Sequence, residues 1–291
     1  KRPDLASTFK EISKSGKSGF YKGVIAQKFI DAMKANNGFF TLEDFKTYKP
    51  VMTSPIVGSY RENLIFTAGP PSGGGVVLLT SLNMLSFFDL SKFGSNSAKT
   101  YHLLGESLRR GHNNRSHQVG DPSKYNVPIK TLLSKNRMKE LAKGLNMTKA
   151  TPSSKVKPLR VVNESRDTTH YSIVDRDGNA VSNTYTLGYS FGSGVTIPGT
   201  GILMNNQMNN FAYRYGDSSI QGRVASPGNK FEPGKRPMST MAPSMVFNKE
   251  GQLTLITGSP GGSYIPAAIL RVISGVVDFN LNIGEATMLP R

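Results

Sequence analysis

The 291-residue chain contains no cysteine, no tryptophan and only four histidines. Without cysteine it cannot form disulfides, use a thiolate nucleophile or bind a metal through a thiolate. The composition is compatible with any redox compartment. His112 and His117 lie close in sequence with no acidic residue beside them, so the sequence predicts no metal centre. No apolar run reaches the roughly eighteen residues that a membrane helix needs, and no cofactor motif is present. We therefore expect no metal, no cofactor and no membrane partner.

Acidic residues are scarce, since 19 Asp and Glu against 36 Lys and Arg give a formal net charge of +17. The excess lies before residue 168, where 27 basic residues accompany 12 acidic ones. The lysines are spread along the chain without a basic run, so solvated helix faces explain the charge and we expect no nucleic-acid partner. A methionine start and a signal peptide are also lacking, because the chain begins at Lys1-Arg2-Pro3. We expect a fragment or a processed product.

The hydrophobic periodicity changes along the chain. Helical spacing predicts helices at 4–15, 20–36, 76–88, 97–112, 128–144 and 264–279, and a capping signal at Thr41 opens a further short helix. Alternation and turn residues predict strands at 51–58 and 63–68, and hairpins at 170–187 and 244–257. Helices dominate before residue 150 and strands after it. This order favours an α/β sandwich whose core both parts share.

Two glycine-rich motifs need separate interpretation. The turn Gly69–Gly75 lacks the Gly-Lys-Ser/Thr ending of a phosphate-binding loop. It either binds an anion at a helix N-terminus or lets a buried helix approach a neighbouring backbone. The run Gly188–Gly192 matches G-x-S-x-G, but the residues that follow cannot form a helix, and no histidine lies downstream of His170. A nucleophile elbow is therefore excluded.

Thr168 is the candidate nucleophile. It stands at the head of a predicted strand, after a polar and aperiodic segment from 149 to 166 in which cleavage would be tolerated. A cut between Asp167 and Thr168 would give the threonine a free amine with a pKa of about 8, which serves as base for its own hydroxyl. With a turn centred on Asp177-Gly178, residue i faces residue 355 minus i. Thr168 then faces residue 187, so Thr186 lies close to the Thr168 hydroxyl. The Gly261-Gly262 turn supplies N–H groups for an oxyanion. Ordinary core threonines and a tight turn remain the alternative.

Several longer motifs carry a resemblance. They are TTHYSIVDRDGNAVS from 168, FGSG from 191, GILMNNQMNNF from 201, KRPMSTMAPSMV from 235 and TGSPGGSYI from 257, together with FYKG, PPSGGG, NRS and GDP earlier in the chain. The sequence resembles the γ-glutamyltranspeptidase family of N-terminal nucleophile hydrolases. The resemblance implies the α/β fold of that superfamily, a four-layer αββα sandwich. It also implies that residues 1–167 are the C-terminal part of a large subunit and residues 168–291 the N-terminal part of a small one, sharing one core.

The resemblance also implies an activity. The family transfers or hydrolyses γ-glutamyl groups, usually of glutathione, through an acyl-enzyme that water or an amine resolves, and it works as a heterodimer in the periplasm or outside the cell. Cleavage is implied between Asp167 and Thr168. The implied roles are Thr168 as nucleophile, Thr186 as its hydrogen-bonding partner, Gly261 and Gly262 as oxyanion hole, Ser239 and Thr240 as α-carboxylate site, and Gln207 as a residue near the α-amino group.

Three positions depart from the family pattern. Gly188 stands where an asparagine is usual, and the neutral Asn210 stands where an aspartate pairs with the substrate α-ammonium. In a loop from 212 to 234, expected to cover the site as a lid, Gln221 stands where a tyrosine often lies. Losing a partly desolvated ion pair commonly costs a few kcal/mol, enough to change substrate preference. Glutaryl amides or poly-γ-glutamate are therefore alternative substrates, and a non-catalytic binding scaffold of the same fold is a third possibility.

Overall fold

A computed structural model describes residues 1–156, 167–212 and 226–290 of the chain. Numbered along the chain, the helices are α1 Pro3–Ser15, α2 Lys17–Tyr21, α3 Gly23–Ala35, α4 Leu42–Thr47, α5 Gly74–Leu85, α6 Ala98–Gln118, α7 Ile129–Leu132, α8 Lys135–Lys143, α9 Ser153–Val156, α10 Ile265–Phe279 and α11 Ile283–Met288. The strands are β1 Ile56–Tyr60, β2 Asn63–Thr67, β3 Thr169–Val174, β4 Ala180–Tyr185, β5 Thr196–Ile197, β6 Ile202–Leu203, β7 Ser244–Phe247 and β8 Leu253–Thr257. Contacts divide the chain into two units, Lys1–Thr53 with Leu187–Asn206, and Ser54–Thr186 with Gln207–Arg291.

The first unit contains α1 to α4 and the short strands β5 and β6. Its core forms where the apolar face of α3, including Phe29, meets Phe45 of α4 and Ile197 of β5. The predicted helix at 20–36 is two helices, because Lys22 is extended and Gly23, the first residue of α3, has a φ of +68°, so neither residue can continue α2 into α3. The capping signal at Thr41 is confirmed. Its hydroxyl accepts from the N–H of Asp44, whose carboxylate accepts from the N–H of Thr41 at 2.8 Å.

The second unit is built on a four-stranded antiparallel sheet in the order β1-β2-β7-β8. The buried apolar helices α5 and α10 cover it, with α6 packed against α5. Leu78 and Leu79 of α5 share this core with Val246 of β7 and Ile269 of α10. Residues from both sides of position 167 thus contribute to one hydrophobic core, while the division into subunits at that position remains a prediction.

The helix α6 is longer than its predicted range of 97–112. It continues through Gly111 to Gln118, beyond the predicted end at residue 112. A Cβ on Gly111 would lie 2.8 Å from the carbonyl oxygen of Val77, so glycine here permits α5 and α6 to approach closely. The close helix contact therefore explains a glycine that the sequence pattern marks as a helix terminator.

The buried carboxylate of Glu106 on α6 binds the chain at Thr151, just before α9. Glu106 accepts from Arg109 at 2.6 Å, from Arg110 at 2.8 Å and from the hydroxyl of Thr151 at 2.5 Å. Burial alone would raise the pKa of this carboxyl, but the hydrogen bonds from Thr151, Arg110 and Arg109 outweigh it and lower the pKa to about 2. Glu106 is thus ionised at neutral pH and fixes Thr151 against α6.

Among the residues that the structure describes, one stretch, Gly262–Phe279, is long and apolar enough by length and composition to cross a membrane, with a mean hydropathy of 1.3 over 18 residues. It contains Arg271 and Asp278, so it is not an uninterrupted apolar run. Both charged side chains are hydrogen-bonded inside the unit, Arg271 to the carbonyl of Ser95 at 2.7 Å and Asp278 to the hydroxyl of Tyr60 at 2.6 Å. These contacts and the burial of just over half the stretch are those of a core helix.

Candidate active site

The hairpin of β3 and β4 carries the candidate nucleophile, in a register that differs by one residue from the prediction. The strands pair from Thr169 with Tyr185 to Val174 with Ala180, so paired residue numbers sum to 354 and not 355. The turn has five residues, 175–179. Asp175 explains this length, because its carboxylate accepts from the N–H groups of Asp177 and Asn179 and closes a wider loop than a two-residue turn.

The corrected register places Thr186 directly opposite Thr168 when the ladder is continued by one pair. Residues directly opposite in an antiparallel pair point to the same face of the hairpin. The hydroxyl of Thr186 donates to the carbonyl oxygen of Asp167 at 2.8 Å. That oxygen belongs to the peptide bond that joins Asp167 to Thr168. A polar donor therefore contacts the carbonyl at which the cut is predicted.

Gln207 and Asn210, predicted to lie near the substrate α-amino group, are brought next to this hairpin. The side-chain amide of Gln207 donates to the main-chain carbonyl of Thr186 at 3.5 Å, which is a long contact. The amide of Asn210 donates to the side-chain oxygen of Gln207 at 2.6 Å. Asn210 is buried and Gln207 is partly exposed. The two amides thus form a neutral, linked pair beside Thr186.

Ser239 and Thr240, predicted as the carboxylate site, are held by the Gly69–Gly75 turn. The N–H of Gly73 donates to the carbonyl of Ser239 at 2.9 Å, and the N–H of Ser239 donates to the carbonyl of Pro71 at 3.2 Å. The turn therefore serves the close approach of two backbones, which was one of its two interpretations. Ser239 is partly exposed and Thr240 is buried, so Ser239 is the better placed of the two to meet a ligand.

Gly261 and Gly262, the predicted oxyanion hole, lie just before α10. Both have positive φ values, +126° and +55°, and the first glycine carbonyl accepts from the N–H of Tyr264 at 2.9 Å. The loop that carries them begins next to the hairpin, because a Cβ on Gly258 would overlap the imidazole of His170. His170 is two residues from Thr168, so this contact connects the glycine turn with the nucleophile strand.

The imidazole of His170 is itself fixed by hydroxyl groups. One ring nitrogen is 2.8 Å from the hydroxyl of Thr184 and the other is 3.1 Å from that of Ser172. Burial lowers the pKa of His170, so the ring is neutral at neutral pH. No catalytic or binding role is predicted for this histidine from the sequence. The only available signal was its position two residues after Thr168.

Gly188 belongs to the first unit and has a positive φ. Its φ is +95°, and a Cβ there would overlap the side-chain oxygen of Asn206. The same oxygen accepts from the N–H of Tyr189 at 3.2 Å, and the N–H of Asn206 donates to the carbonyl of Leu187 at 2.9 Å. The carboxamide of Asn206 therefore occupies the space that the Cβ of any side chain at position 188 would need.

Two other predictions concern residues only partly described. Gln221, in the predicted lid from 212 to 234, lies outside the described residues, as does most of the polar segment before Asp167. At the base of the predicted lid, Ala212 and Lys230 form a parallel bridge. Within the described residues no group of three or more His, Asp or Glu side chains is arranged to hold a metal.

Asp121 supports the segment that leads to Ser239, a role that sequence analysis missed. Its carboxylate accepts from the N–H of Arg236 at 2.6 Å and from the N–H of Ser123 at 3.0 Å. Burial would raise the pKa of this carboxyl, but these backbone hydrogen bonds outweigh it and lower the pKa. A buried acid that binds a backbone more than a hundred residues away leaves no local sequence signal.

Comparison with known proteins places this geometry in a family. The glutathione hydrolase proenzyme of Escherichia coli strain K12 is 40% identical over 289 residues, covering 99% of this chain and 50% of that protein. Among solved structures, the cephalosporin acylase of Bacillus halodurans superposes with a TM-score of 0.82 at 27% identity, covering 99% of this chain and 49% of that one. The γ-glutamyltranspeptidase of Helicobacter pylori gives a TM-score of 0.52 at 36% identity over 54% of this chain and 45% of that one.

These neighbours confirm the predicted fold class, the α/β fold of the N-terminal nucleophile hydrolases. The chain spans about half the length of the curated relatives it matches, which are enzymes. The family model described as gamma-glutamyltranspeptidase matches residues 1–291. The chain therefore belongs to the gamma-glutamyltranspeptidase family.

Proposed function

We propose that this chain carries the nucleophile of a γ-glutamyl hydrolase or transferase, and that Thr168 is exposed by self-cleavage after Asp167. The observation that carries the proposal is the hydrogen bond of 2.8 Å from the Thr186 hydroxyl to the Asp167 carbonyl. A donor at a carbonyl withdraws electron density and stabilises the oxyanion that forms when a nucleophile adds. The residue that follows this carbonyl in the chain is Thr168, and its hydroxyl would be the attacking group.

The proposed cut has two chemical steps. The Thr168 hydroxyl adds to the Asp167 carbonyl, the C–N bond breaks, and the proton goes to the departing nitrogen, which leaves an ester between the two residues. Water then hydrolyses the ester and releases the Asp167 carboxylate and the Thr168 hydroxyl. The product is an N-terminal threonine whose amine takes the hydroxyl proton in each later turnover.

In turnover, the proposed acyl-enzyme forms on the same hydroxyl. Thr168 attacks the γ-carbonyl of the donor, the amine of Thr168 passes the proton to the leaving amine, and an ester remains. Gly261 and Gly262 would donate to the oxyanion, as their positions before α10 support. Ser239 would bind the α-carboxylate, and Gln207 would lie near the α-amino group. Water or an acceptor amine then releases the γ-glutamyl group.

Self-cleavage and turnover are tested on the full-length protein. We expect two fragments on a denaturing gel, with Thr168 as the new N-terminus, and one intact chain for Thr168→Ala. Thr168→Ser keeps a hydroxyl and serves as the matched control, which should still cut. Purified protein is then assayed with a chromogenic γ-glutamyl anilide. A wild-type chain that stays intact on prolonged incubation contradicts the proposed activation of Thr168.

Asn210 favours a second candidate, an acylase that prefers glutaryl amides or another donor without a free α-amine. Its side chain is neutral and already donates to Gln207, so it offers no carboxylate for an α-ammonium. The likeness to the Bacillus halodurans cephalosporin acylase adds support. Asn210→Asp should raise the ratio of kcat/KM for the γ-glutamyl over the glutaryl anilide by about tenfold, as a partly buried ion pair would. An unchanged ratio contradicts a role of residue 210 in this choice.

Assembly and location follow from the same proposal. The large and small fragments would remain together as a heterodimer, because the core of the second unit contains residues from both sides of the cut. That the matched relatives are proenzymes supports processing into two parts. We also propose a periplasmic or secreted location, which fractionation of cells that express the full-length protein would test.

A further inference from the structure

Asn229 connects the two segments to which opposite ends of a γ-glutamyl substrate are assigned. It is 1% exposed and lies in the short turn at 227–229. Its side-chain amide donates to the carbonyl of Asn210 at 2.7 Å, and its side-chain oxygen accepts from the N–H of Met238 at 2.9 Å. Both bonds are buried, so a single carboxamide joins the Gln207–Asn210 turn to the residue that precedes Ser239.

Backbone bonds fix the position of Asn229. Its N–H donates to the carbonyl of Ser226 at 2.9 Å, and its carbonyl accepts from the N–H of Ala212 at 3.1 Å. Because the backbone is held on both sides, the side chain is not free to follow either partner if a bond is lost. A side chain that both donates to one segment and accepts from the other sets the spacing between them.

The hydrogen bonds continue on both sides of Asn229. On one side Asn210 donates to Gln207, which contacts the carbonyl of Thr186. On the other side Met238 leads directly to Ser239, whose N–H donates to Pro71. A connected path thus runs from the strand opposite Thr168 to the proposed carboxylate site, and Asn229 is the point where it crosses between segments.

We propose that Asn229 is a positioning residue for substrate recognition, which sets the distance between the α-amino and α-carboxylate subsites; this rests on the proposed function above. Asn229 contacts no reacting atom, because its two partners are backbone groups. Its loss should therefore weaken binding of a donor that carries both α-substituents. Attack by Thr168, which depends on Thr186 and the Gly261-Gly262 turn, should be preserved.

The test compares Asn229→Asp and Asn229→Ala in the full-length protein. The aspartate keeps the acceptor for Met238 but loses the donor and turns a carboxylate toward the carbonyl of Asn210, whereas alanine loses both bonds. Asn63→Asp is the matched control, since Asn63 also donates to main-chain carbonyls, those of Tyr60 and Arg61, in a turn of the same unit.

We expect both Asn229 variants to self-cleave as the wild type does and to raise KM for the γ-glutamyl anilide by about tenfold, with kcat within about threefold, as expected for the loss of uniform binding. Inhibition by L-glutamate should weaken in parallel, whereas inhibition by glutarate, which keeps the α-carboxylate but lacks the α-amino group and so does not span both subsites, should not change. The Asn63 control should change neither. KM within about twofold of wild type in both variants, or equal weakening of glutamate and glutarate inhibition, overturns the proposal.

If one Asn229 variant fails to fold, the other supplies the same measurements. Asn229→Ser is the further substitute, because its hydroxyl can bond to one of the two partners and should give an intermediate KM. Failure of the proposed function looks different from failure of this inference. In the first case the wild type neither cuts itself nor turns over the γ-glutamyl anilide, and in the second the wild type does both while the Asn229 variants match it.

Discussion

Replacing Thr186 by valine removes the hydroxyl that contacts the Asp167 carbonyl and keeps the shape of the side chain. In the ground state the lost bond of 2.8 Å contributes about 0.5–1.5 kcal/mol. In the transition state of self-cleavage the same donor faces an oxyanion, and removal of one such donor typically costs about 2.7–4 kcal/mol, or about a hundredfold to a thousandfold in rate. The cut should therefore slow by about two to three orders of magnitude while the fold loses about 1.5 kcal/mol at most.

The assay follows the intact chain on denaturing gels after the full-length protein is purified uncut or produced in a short pulse. Thr254→Val is the matched control, because the Thr254 hydroxyl donates to the carbonyl of Val246 across the β7–β8 hairpin of the second unit at 3.1 Å. The two variants should show similar thermal stability by circular dichroism, and only Thr186→Val should accumulate uncut chain. Self-cleavage of Thr186→Val at the wild-type rate refutes the reasoning.

Two further predictions concern stability. Because the pKa of Glu106 is lowered to about 2, its ionised carboxylate stabilises the folded state fully above the ordinary pKa of about 4.5. This contribution to the free energy of unfolding is lost as pH falls toward 2. Glu106→Gln should lower the free energy of unfolding by about 3 kcal/mol at pH 7 and remove the part of the acid sensitivity that Glu106 causes. Urea unfolding between pH 7 and pH 2 measures both effects. Equal pH dependence of the wild type and the variant contradicts this prediction. Gly188→Ala should cost about 1–3 kcal/mol, because φ is +95° and the new Cβ overlaps Asn206. Asn206→Gly should recover part of that loss, and no recovery would contradict the overlap.

Local features of the sequence were predicted well where a short-range pattern determines them. The alternation in β3 and β4 and the residues between them gave the hairpin, and the Thr41 signal gave a confirmed capping box. The register was wrong by one residue because the side chain of Asp175 closes a five-residue turn. Turn propensity alone favours the shorter connection.

Long-range features could not be predicted in the same way. The contact of Gly73 with Ser239 joins residues 166 positions apart, and the contact of Asp121 with Arg236 spans 115. The end of α6 was predicted at residue 112, next to Gly111, because the packing of this glycine against α5 is invisible in the sequence. Motif resemblance supplied the site residues, whereas the hydrogen bonds that connect them required the structure.

The five-residue turn between β3 and β4 limits how this hairpin can change during evolution or design. Side chains alternate between the two faces of a strand, so inserting or deleting one turn residue would place Tyr185 or Leu187 opposite Thr168 in place of Thr186. Substitutions at Arg176 and Asp177 leave this pairing intact, whereas Asp175 is required because its carboxylate closes the turn. The turn therefore tolerates substitution at those two positions and does not tolerate single-residue insertions or deletions, and engineered changes to it should preserve its length.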